Sequence, residues 1–396
     1  MQNGPNIFLT MEAVRKKILA IIPTAFCFGL QHVTVDLFAK ASEQIDPHFL
    51  ITRWNNGEFE KLLKPHHFSY SFSWLGMFSR KMDWYNLRMS LHAMSKLPKL
   101  YFDFWKLCKK IKPDFLYFAN HHELILLSPI LWFIKKPVVC HMHDPAPDIP
   151  FQKKTFKYYG KRVNHFICIS ENVKERLMLL GCAADKITVI YNGVKITDTQ
   201  ITKTSRLAGL AGWSDDDFII GITGQMTETK GHEDVLNAFE IAYAMNSSMR
   251  LVIGGKPLEP LYSKLKSQIA LKNLSSVVFF SGWLESVSEF YLGIDLFVLA
   301  SRHDECYGLV VAEAMAYGKP VIISDSGGAV EIVENGVSGF VVPKMNAGEM
   351  AESMIKISTD NMRYKKMAKA AAKRINDHFS IEVSAKKFAG FLYDFK

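Results

Sequence analysis

The chain has 396 residues, and its 48 Lys and Arg against 39 Asp and Glu give a formal net charge of +9. This length exceeds one ordinary hydrophobic core and favours two domains, while 48% apolar and 22% charged residues exclude fibrous and disordered classes. The six cysteines lack Cys-x-x-Cys spacing, and we expect small buried thiols in a reducing compartment.

The positive charge is concentrated in the first half of the chain. Residues 1–200 hold 27 Lys and Arg against 16 Asp and Glu, whereas residues 201–396 hold 21 against 23. Aromatic residues are interleaved with the basic ones between Phe68 and Tyr85. One interpretation is a surface for anionic lipid or an anionic acceptor. The other, which composition favours, is a solvated basic face with aromatic core residues. Nucleic acid is not expected, because no binding module is recognisable.

The first predicted element is a buried strand at residues 18–22. A signal peptide would also place basic residues before an apolar run, but Pro23 interrupts this run and no clean cleavage site follows. The apolar run at residues 124–134 is too short to span a bilayer. We therefore expect a chain without a transmembrane helix that is soluble or associates with a membrane surface.

Short apolar runs alternate with helical patterns through the rest of the chain, which is typical of buried parallel strands with helical crossovers. A long amphipathic helix is predicted at residues 86–111, where a helical period of about 3.6 residues relates Leu87, Leu91, Met94, Leu97, Phe104 and Ile111. Further strands are predicted at residues 115–119, 137–142, 165–170, 187–191, 218–223, 249–254, 277–282, 295–300, 320–324 and 339–343.

Each half is therefore predicted to be an α/β domain with a doubly wound, Rossmann-like sheet. Residues 195–217 hold no clear buried strand and are predicted to connect the two domains. The predicted division is a first domain at residues 1–194, this linker, a second domain at 218–378, and a C-terminal helix at 379–396 that packs back toward the first domain. Two such domains facing a central cleft would place the carboxyl ends of both sheets at the ligand site.

The most informative stretch is HDECYGLVVAEAMAYGKPVI, at residues 303–322. Gly308 opens a predicted helix whose first amides, at Gly308, Leu309 and Val310, are free donors that favour a phosphate. Glu305 precedes the helix, and Glu313 lies in its first two turns. Carboxylates accept hydrogen bonds from vicinal hydroxyls such as those of sugars and ribose. Two glutamates at this spacing are common by chance, whereas their placement around a strand, a loop and a glycine is more specific.

A second candidate site is GITGQMTETKGHEDVLNAF, at residues 221–239. It follows a predicted strand and precedes an amphipathic helix, with Lys230 at the helix start as a point charge for a diphosphate. The glycine spacing matches neither the dinucleotide fingerprint nor the P-loop. A plain strand-to-helix turn with a surface lysine is an equally good interpretation of this stretch alone.

A third candidate is VVCHMHDPAPD, at residues 138–148. His141, His143 and Asp144 could indicate a metal, but no further Cys or His follows at ligand spacing, so zinc is not predicted. His143, at the end of a buried strand, is interpreted as a substrate contact. A structural role is the more frequent one for a single histidine.

Together these segments resemble the retaining glycosyltransferases of family 4, the group 1 glycosyl transferases, which have the GT-B fold. The resemblance is collinear over about residues 16–392. It rests on the HD after a strand and on the segments ICISENVKERL, VIYNGV, GQMTETKGHEDVLNAF, LVIGG, VVFFSGWLESVSEFYLGIDLFVLASRHDECYGLVVAEAMAYGKPVIISDSGGAVEIVENGVSGFVVP and FSIEVSAKKFAGFLYDF.

The resemblance implies a site for a nucleotide-diphosphate sugar. Glu305 would bind the donor sugar, Lys230 would neutralise the diphosphate leaving group, and His143 would contact the sugar near the reaction centre. Glu313 would accept hydrogen bonds from ribose. The amides of Gly308, Leu309 and Val310 would contact the sugar and the diphosphate. The backbone of Trp283 and Leu284 would contact the base. The loop around Gly29 would contact the phosphates.

Three positions depart from the family pattern. Gln225 stands where the family often has Arg, so it can donate a hydrogen bond but supplies no charge, and diphosphate stabilisation depends more on Lys230. Gly29 is alone where many members have a glycine pair. Lys195 replaces the aspartate usual at the domain junction.

The predicted function is a retaining, hexosyltransferase-type enzyme that moves a sugar from a nucleotide-diphosphate sugar to a glycan or lipid-linked acceptor, in bacterial cell-surface polysaccharide or lipopolysaccharide assembly. Two alternatives remain: a nucleotide-sugar epimerase of GT-B architecture and a non-catalytic sugar-nucleotide-binding protein. No metal or other cofactor is expected. The expected location is the cytoplasm, with peripheral association at the inner face of an anionic cytoplasmic membrane. Donor, acceptor and linkage stay open at this stage.

Overall fold

The computed structural model describes residues 15–22, 27, 29–53, 55–75, 84–144, 150–196, 204–283 and 287–395. These residues form two compact units. The first unit comprises the described residues of Met1–Met142, Lys154–Ile167 and Ala385–Lys396, and the second comprises those of His143–Lys153 and Cys168–Ser384.

The described residues of the first half of the chain form seven strands and six helices. The strands are β1 (Lys16–Ile21), β2 (Ile45–Thr52), β3 (Ser69–Ser73), β4 (Phe115–Phe118), β5 (Val138–Met142), β6 (His165–Cys168) and β7 (Ile187–Val189). The helices are α1 (Gly29–Lys40), α2 (Glu58–Leu63), α3 (Trp84–Ile111), α4 (His121–Leu131), α5 (Pro150–Tyr159) and α6 (Glu171–Leu179), with short 3₁₀ turns at Lys64–His66 and Ala184–Lys186. The sheet order is β3-β2-β1-β4-β5-β6-β7.

Six strands and nine helices form within the part of the second half that the structure describes. The strands are β8 (Phe218–Thr223), β9 (Met249–Gly254), β10 (Val278–Gly282), β11 (Leu296–Leu299), β12 (Val321–Ser324) and β13 (Gly339–Val342). The helices are α7 (Arg206–Ala211), α8 (His232–Met245), α9 (Leu261–Leu271), α10 (Val287–Gly293), α11 (Leu309–Ala316), α12 (Ala329–Ile332), α13 (Ala347–Ser358), α14 (Asn361–Arg374) and α15 (Ile381–Asp394), with a 3₁₀ turn at Glu228–Lys230 and a π-helical turn at Ile375–Phe379.

The second sheet is parallel throughout, in the order β10-β9-β8-β11-β12-β13. Its strands are continuous apolar runs because helices cover both faces of a doubly wound sheet. On one face Leu236 and Phe239 of α8 and Met354 of α13 form a core with Ile220 of β8 and Leu251 of β9, all of them buried. The predicted fold class, two Rossmann-like α/β domains, is confirmed.

Two strands of the first sheet were not predicted from the sequence. β2 pairs in parallel with β1 from Ile45 to Leu50, yet Asp46, Pro47 and His48 interrupt its apolar character. β3 is the edge strand and reads SYSFS, so it carries no apolar run. β2 is held by backbone pairing on both sides and by burial of its second half, Phe49 to Thr52, whereas β3, with Ser73 buried, is held mainly by its backbone pairing with β2.

The long helix α3 is present, but the predicted period does not mark a single buried face. Leu87, Leu91 and Met94 are exposed, whereas Phe104 is buried together with Leu100. At about 100° per residue the six apolar positions fall on two adjacent arcs of the helix, of which the one with Leu87, Leu91 and Met94 is exposed. The interpretation of the nearby aromatics as core residues is also wrong at three described positions, because the side chains of Tyr70, Phe72 and Trp84 are exposed.

The end of α15 packs within the first unit. The ring of Phe388 stacks on Phe38 of α1 at 5.7 Å between centroids and meets Tyr117 of β4 edge-on at 6.3 Å. The ammonium of Lys16 on β1 donates to the carbonyl of Phe395 at 2.6 Å and to that of Leu392. A cation at the carboxyl end of a helix stabilises it, because it satisfies carbonyls that have no partner inside the helix.

Candidate active site

The site lies where the strand order of the second sheet reverses. β8 is followed in space by β11, with Ile220 opposite Leu296, although more than seventy residues separate them in the chain. The helices after these two strands leave on opposite sides, so the loops at their carboxyl ends border a crevice. The two loops, residues 224–231 and 300–308, carry the lysine and the first glutamate predicted from the sequence.

Lys230 and Glu305 form an ion pair across these loops. The ammonium of Lys230 lies 2.7 Å from Oε1 of Glu305, and the hydroxyl of Ser301 donates to the same oxygen. Ser301 is buried, and the lysine and glutamate side chains are partly covered. The carboxyl group of Glu305 is therefore held by two donors at the edge of the crevice.

A glycine lets the lysine loop approach the end of β11. Gly231 has φ of 68°, and a Cβ on it would lie 1.9 Å from the carbonyl oxygen of Ala300. The amide of Arg302 donates to the carbonyl of Thr229 at 2.8 Å, which ties the two loops together. A side chain at residue 231 would separate them, so the position of Lys230 depends on this glycine.

A second ion pair braces the same loops from behind. The guanidinium of Arg302 donates to both carboxylate oxygens of Asp234, at 2.7 and 2.9 Å, and lies 3.8 Å from Glu233. The hydrogen bond to Asp234 raises the pKa of Arg302. Because a bidentate arginine–carboxylate pair fixes both direction and distance, it holds the start of α8 against the loop that carries Glu305.

The N-terminus of α11 points its amides at the crevice side of the same loop. Gly308 precedes the helix with φ of 92°, and no side chain caps the first turn. A Cβ at residue 308 would lie 2.9 Å from the Cβ of Ala329, so glycine is also required by packing. The amides of Leu309 and Val310 have no acceptor inside the helix, and the helix dipole favours an anion there.

Glu313 is the buried carboxylate of this helix. The hydroxyl of Tyr291 donates to its Oε2 at 2.9 Å and also to the carbonyl of Val310 at 3.1 Å. Burial raises the pKa of Glu313 from 4.5 to about 7, and the hydrogen bond from Tyr291 opposes part of that rise. Tyr291 in turn stacks on Tyr317, with 5.5 Å between ring centroids. The carboxylate therefore sits in a fixed, weakly hydrated position.

A glycine pair after β12 supports the backbone of Glu305. The amide of Gly328 donates to the carbonyl of Glu305 at 2.7 Å. A Cβ at Gly327, where φ is 55°, would lie 2.5 Å from the same carbonyl oxygen. Only residues without a side chain fit at this distance, so these glycines fix the backbone of the loop.

The other predicted site residues are not joined to the Lys230–Glu305 pair by any contact described here. His143 follows β5, and burial lowers its pKa to about 3, so its imidazole is neutral. Gln225 is exposed in the turn after β8, and Trp283 is exposed after the outer strand β10. Gly29 begins α1 in the first unit. Leu284 lies outside the described residues.

Sequence patterns did not indicate several residues that shape this site. Ser301, Tyr291 and Asp234 are ordinary polar residues in sequence, and only the fold places them on Glu305, Glu313 and Arg302. A polar residue that ends a buried strand, as Ser301 does after β11, is the one signal that could have been used. Within the described ranges, no three His, Cys, Asp or Glu side chains are grouped so as to hold a metal ion.

Family models match both halves of the chain. The model described as Glycosyltransferase Family 4 matches residues 33–198, and the model described as Glycosyl transferases group 1 matches residues 210–374. The second range contains every contact of the Lys230, Glu305 and Glu313 site. The chain belongs to this glycosyltransferase family.

Two relatives are named as glycosyltransferases of capsular polysaccharide and amylovoran biosynthesis. The chain is 28% identical over 223 residues to the capsular polysaccharide biosynthesis glycosyltransferase CapM of Staphylococcus aureus, covering 55% of this chain and 58% of CapM. It is 26% identical over 231 residues to the amylovoran biosynthesis glycosyltransferase AmsK of Erwinia amylovora, covering 57% of this chain and 54% of AmsK. The matches thus span about half the length of these relatives.

Solved glycosyltransferase structures share the fold over nearly the whole chain. HepE of Anabaena, crystallised with UDP and glucose, superposes with a TM-score of 0.77 at 21% identity, covering 96% of this chain and 100% of HepE. The lipopolysaccharide outer core galactosyltransferase WaaB superposes with a TM-score of 0.71 at 17% identity, covering 95% of this chain and 99% of WaaB. At these identities the likeness shows the GT-B fold alone.

Proposed function

We propose that the protein transfers a sugar from a nucleotide-diphosphate sugar to a glycan or lipid-linked acceptor, with retention of the anomeric configuration. One observation carries the proposal: a cation, a set of helix N-terminal amides and two carboxylates converge on the switch point of a parallel sheet. Breaking a glycosyl–phosphate bond develops negative charge on the diphosphate and positive charge on the sugar, and these groups oppose both charges.

Donor binding would exchange the partner of Lys230. Without donor, its ammonium pairs with Glu305 at 2.7 Å. A diphosphate carries more charge than one carboxylate, so it would draw the lysine away and leave Glu305, still held by Ser301, to accept hydroxyls of the donor sugar. The ion pair thus keeps both groups close to the positions in which they would act on the donor.

The amides at Gly308, Leu309 and Val310 would hold the donor phosphates and sugar, because they lie at the positive end of α11. Glu313 would accept from the ribose hydroxyls. Trp283 and Leu284 would contact the base, Gln225 and the loop at Gly29 the phosphates, and the neutral imidazole of His143 the sugar. None of these carboxylates is proposed as a nucleophile. The acceptor would attack on the face that the leaving phosphate vacates, with that phosphate as the base, which retains configuration.

The names of CapM and AmsK support assembly of a bacterial cell-surface polysaccharide or lipopolysaccharide as the setting. The proposed location is the cytoplasm, with peripheral binding at the inner face of the cytoplasmic membrane. The six free cysteines of the chain fit a reducing compartment. The positive charge of the first half fits an anionic membrane or acceptor.

The test is a donor screen. The purified chain is mixed with UDP-, GDP- and ADP-sugars without added metal, beginning with UDP-glucose because HepE was crystallised with it. Thermal shift reports binding, and slow nucleotide release without acceptor reports cleavage. We expect one donor to stabilise the protein and to be slowly hydrolysed, and Glu305→Ala to reduce release at least tenfold. That factor corresponds to about 1.4 kcal/mol of transition-state stabilisation.

The matched control is the exposed ion pair between Lys356 and Glu352 on α13, whose replacement by alanine should leave release unchanged. A sugar that is epimerised on its nucleotide rather than hydrolysed would identify an epimerase and overturn the proposal. Donor binding with neither release nor transfer to any acceptor would identify a non-catalytic binding protein.

A further inference from the structure

Helix α3 of the first unit carries an apolar face that no described element covers. At about 100° per residue, positions 84, 87, 91, 94, 102 and 105 fall within an arc of about 80°. The side chains there are exposed by 42% to 79% and form what we call the apolar stripe: Trp84, Leu87, Leu91, Met94, Phe102 and Trp105. The buried residues Leu100, Phe104 and Cys108 occupy the neighbouring arc of the helix.

The stripe extends from Trp84 to Trp105 and spans about 32 Å at 1.5 Å per residue, with Pro98 between its two groups of residues. Surface apolar residues scattered singly are normal, but six exposed apolar side chains on one arc, three of them large aromatics, mark an interaction site. Aromatic rings of this kind are favoured where one side of the partner is apolar and the other is wet.

Positive charge borders the stripe on one side. The basic row, as we call it, occupies the adjacent arc of the helix and consists of Arg88, Lys99, Lys106 and Lys110. Within the stripe, the ammonium of Lys109 lies 5.8 Å above the Trp105 ring. Asp103, which pairs with Lys99 at 3.0 Å, is the sole acidic residue of the 28 in this helix. The partner must therefore present an apolar layer next to negatively charged groups.

We propose that the apolar stripe of α3 lies flat in the headgroup region of an anionic bilayer, with the basic row at the level of the lipid phosphates. An in-plane helix with aromatic and aliphatic residues on one face and cations beside them binds a bilayer by this combination. None of the described helices is long and apolar enough to cross a membrane. This pose assigns to α3 the peripheral membrane association that is part of the proposed function. It rests on that function for the side from which the acceptor would approach.

Charge disfavours the simplest alternative occupant, a second copy of the chain. Two copies joined through this face would bring their basic rows together, with only one carboxylate per helix to offset six cations. A bilayer of anionic lipid offers negative charge along the full length of the helix and an apolar layer beneath it.

The first experiment is flotation of the full chain with vesicles of phosphatidylcholine alone or mixed with phosphatidylglycerol. We expect at least about tenfold more protein with the anionic vesicles at low salt, because each lysine or arginine near such a surface contributes about 1 kcal/mol. Phe102→Ser with Trp105→Ser should abolish flotation. The matched control replaces Met245 and Leu271, two exposed apolar residues of the second unit, by serine and should float like the wild type.

The charge is tested separately. Lys106→Glu with Lys110→Glu should lower flotation at least tenfold, whereas Lys365→Glu with Lys369→Glu, exposed on α14, should lower it far less. Brominated lipid should quench tryptophan fluorescence in the wild type, and Trp84→Phe with Trp105→Phe should remove most of that quenching.

Two results would overturn the inference. One is no preference of the wild type for anionic vesicles, or stripe variants that float as well as the wild type. The other is self-association in solution that the stripe variants abolish, which would make a second copy the occupant. Donor-driven nucleotide release separates the two proposals: if it persists when flotation fails, only the membrane pose is wrong, and if it is absent while flotation succeeds, only the transferase function is wrong.

Discussion

Replacing Glu313 by glutamine should stabilise the folded chain at neutral and alkaline pH. Burial raises the pKa of this carboxyl from 4.5 to about 7. An acid with a raised folded pKa binds more protons in the folded than in the unfolded state between those two values. The contribution of Glu313 to the free energy of unfolding is therefore most favourable below pH 4.5. This contribution is lost as the pH rises toward about 7. The loss is about 3 kcal/mol, from a shift of roughly two to three units at about 1.36 kcal/mol each.

Glu313→Gln removes this cost while keeping the contact, because the amide oxygen can still accept from Tyr291. We expect the free energy of unfolding at pH 8 to rise by up to about 3 kcal/mol and the gain to vanish near pH 4. Urea unfolding followed by fluorescence at both pH values measures it. The control Glu352→Gln, at an exposed position of α13, should change stability by less than about 0.5 kcal/mol at either pH.

The same variant should bind donor less well, because a neutral amide is a weaker acceptor for ribose hydroxyls than a carboxylate. Stability and donor affinity should thus move in opposite directions, as is common for groups kept for function. Equal effects at pH 4 and pH 8, or a loss of stability at pH 8, would refute the argument that burial of this charge is costly.

Three further outcomes follow from the loops around the ion pair. Lys230→Ala should lower donor-dependent turnover more than tenfold with little change in unfolding midpoint, and wild-type turnover would remove the lysine from the proposed site. Arg302→Leu should leave Asp234 without its bidentate partner and lower the free energy of unfolding, measured with urea, by about 3 kcal/mol. Arg302→Lys should recover only part of that free energy, whereas full recovery would show that charge alone matters. Gly231→Ala would place a Cβ 1.9 Å from the carbonyl of Ala300, so we expect a poorly folded chain, and a native circular dichroism spectrum with normal donor binding would show that the loop can move.

The order of residues along the chain was enough to predict the doubly wound architecture and to suggest the residue types of the proposed site. Continuous apolar runs such as those of β8 and β11 are possible only in sheets covered on both sides, so they predicted the doubly wound fold that the structure has. The glycine directly before an apolar helix also predicted the free amides of α11, because the first amides of any helix have no acceptor within that helix. These signals depend on neighbours in the chain and need no tertiary information.

Which residues contact one another in the site depends on the tertiary structure. Lys230 and Glu305 are distant in sequence, and their 2.7 Å pair exists because β8 and β11 are neighbours at the reversal of strand order. The partners Ser301 and Tyr291 carried no recognisable pattern. Likewise, the apolar residues of α3 did not predict which face the sheet would cover. A helical period identifies an apolar face, but it does not identify the element that packs against that face. Only packing showed that one apolar face of that helix is left exposed.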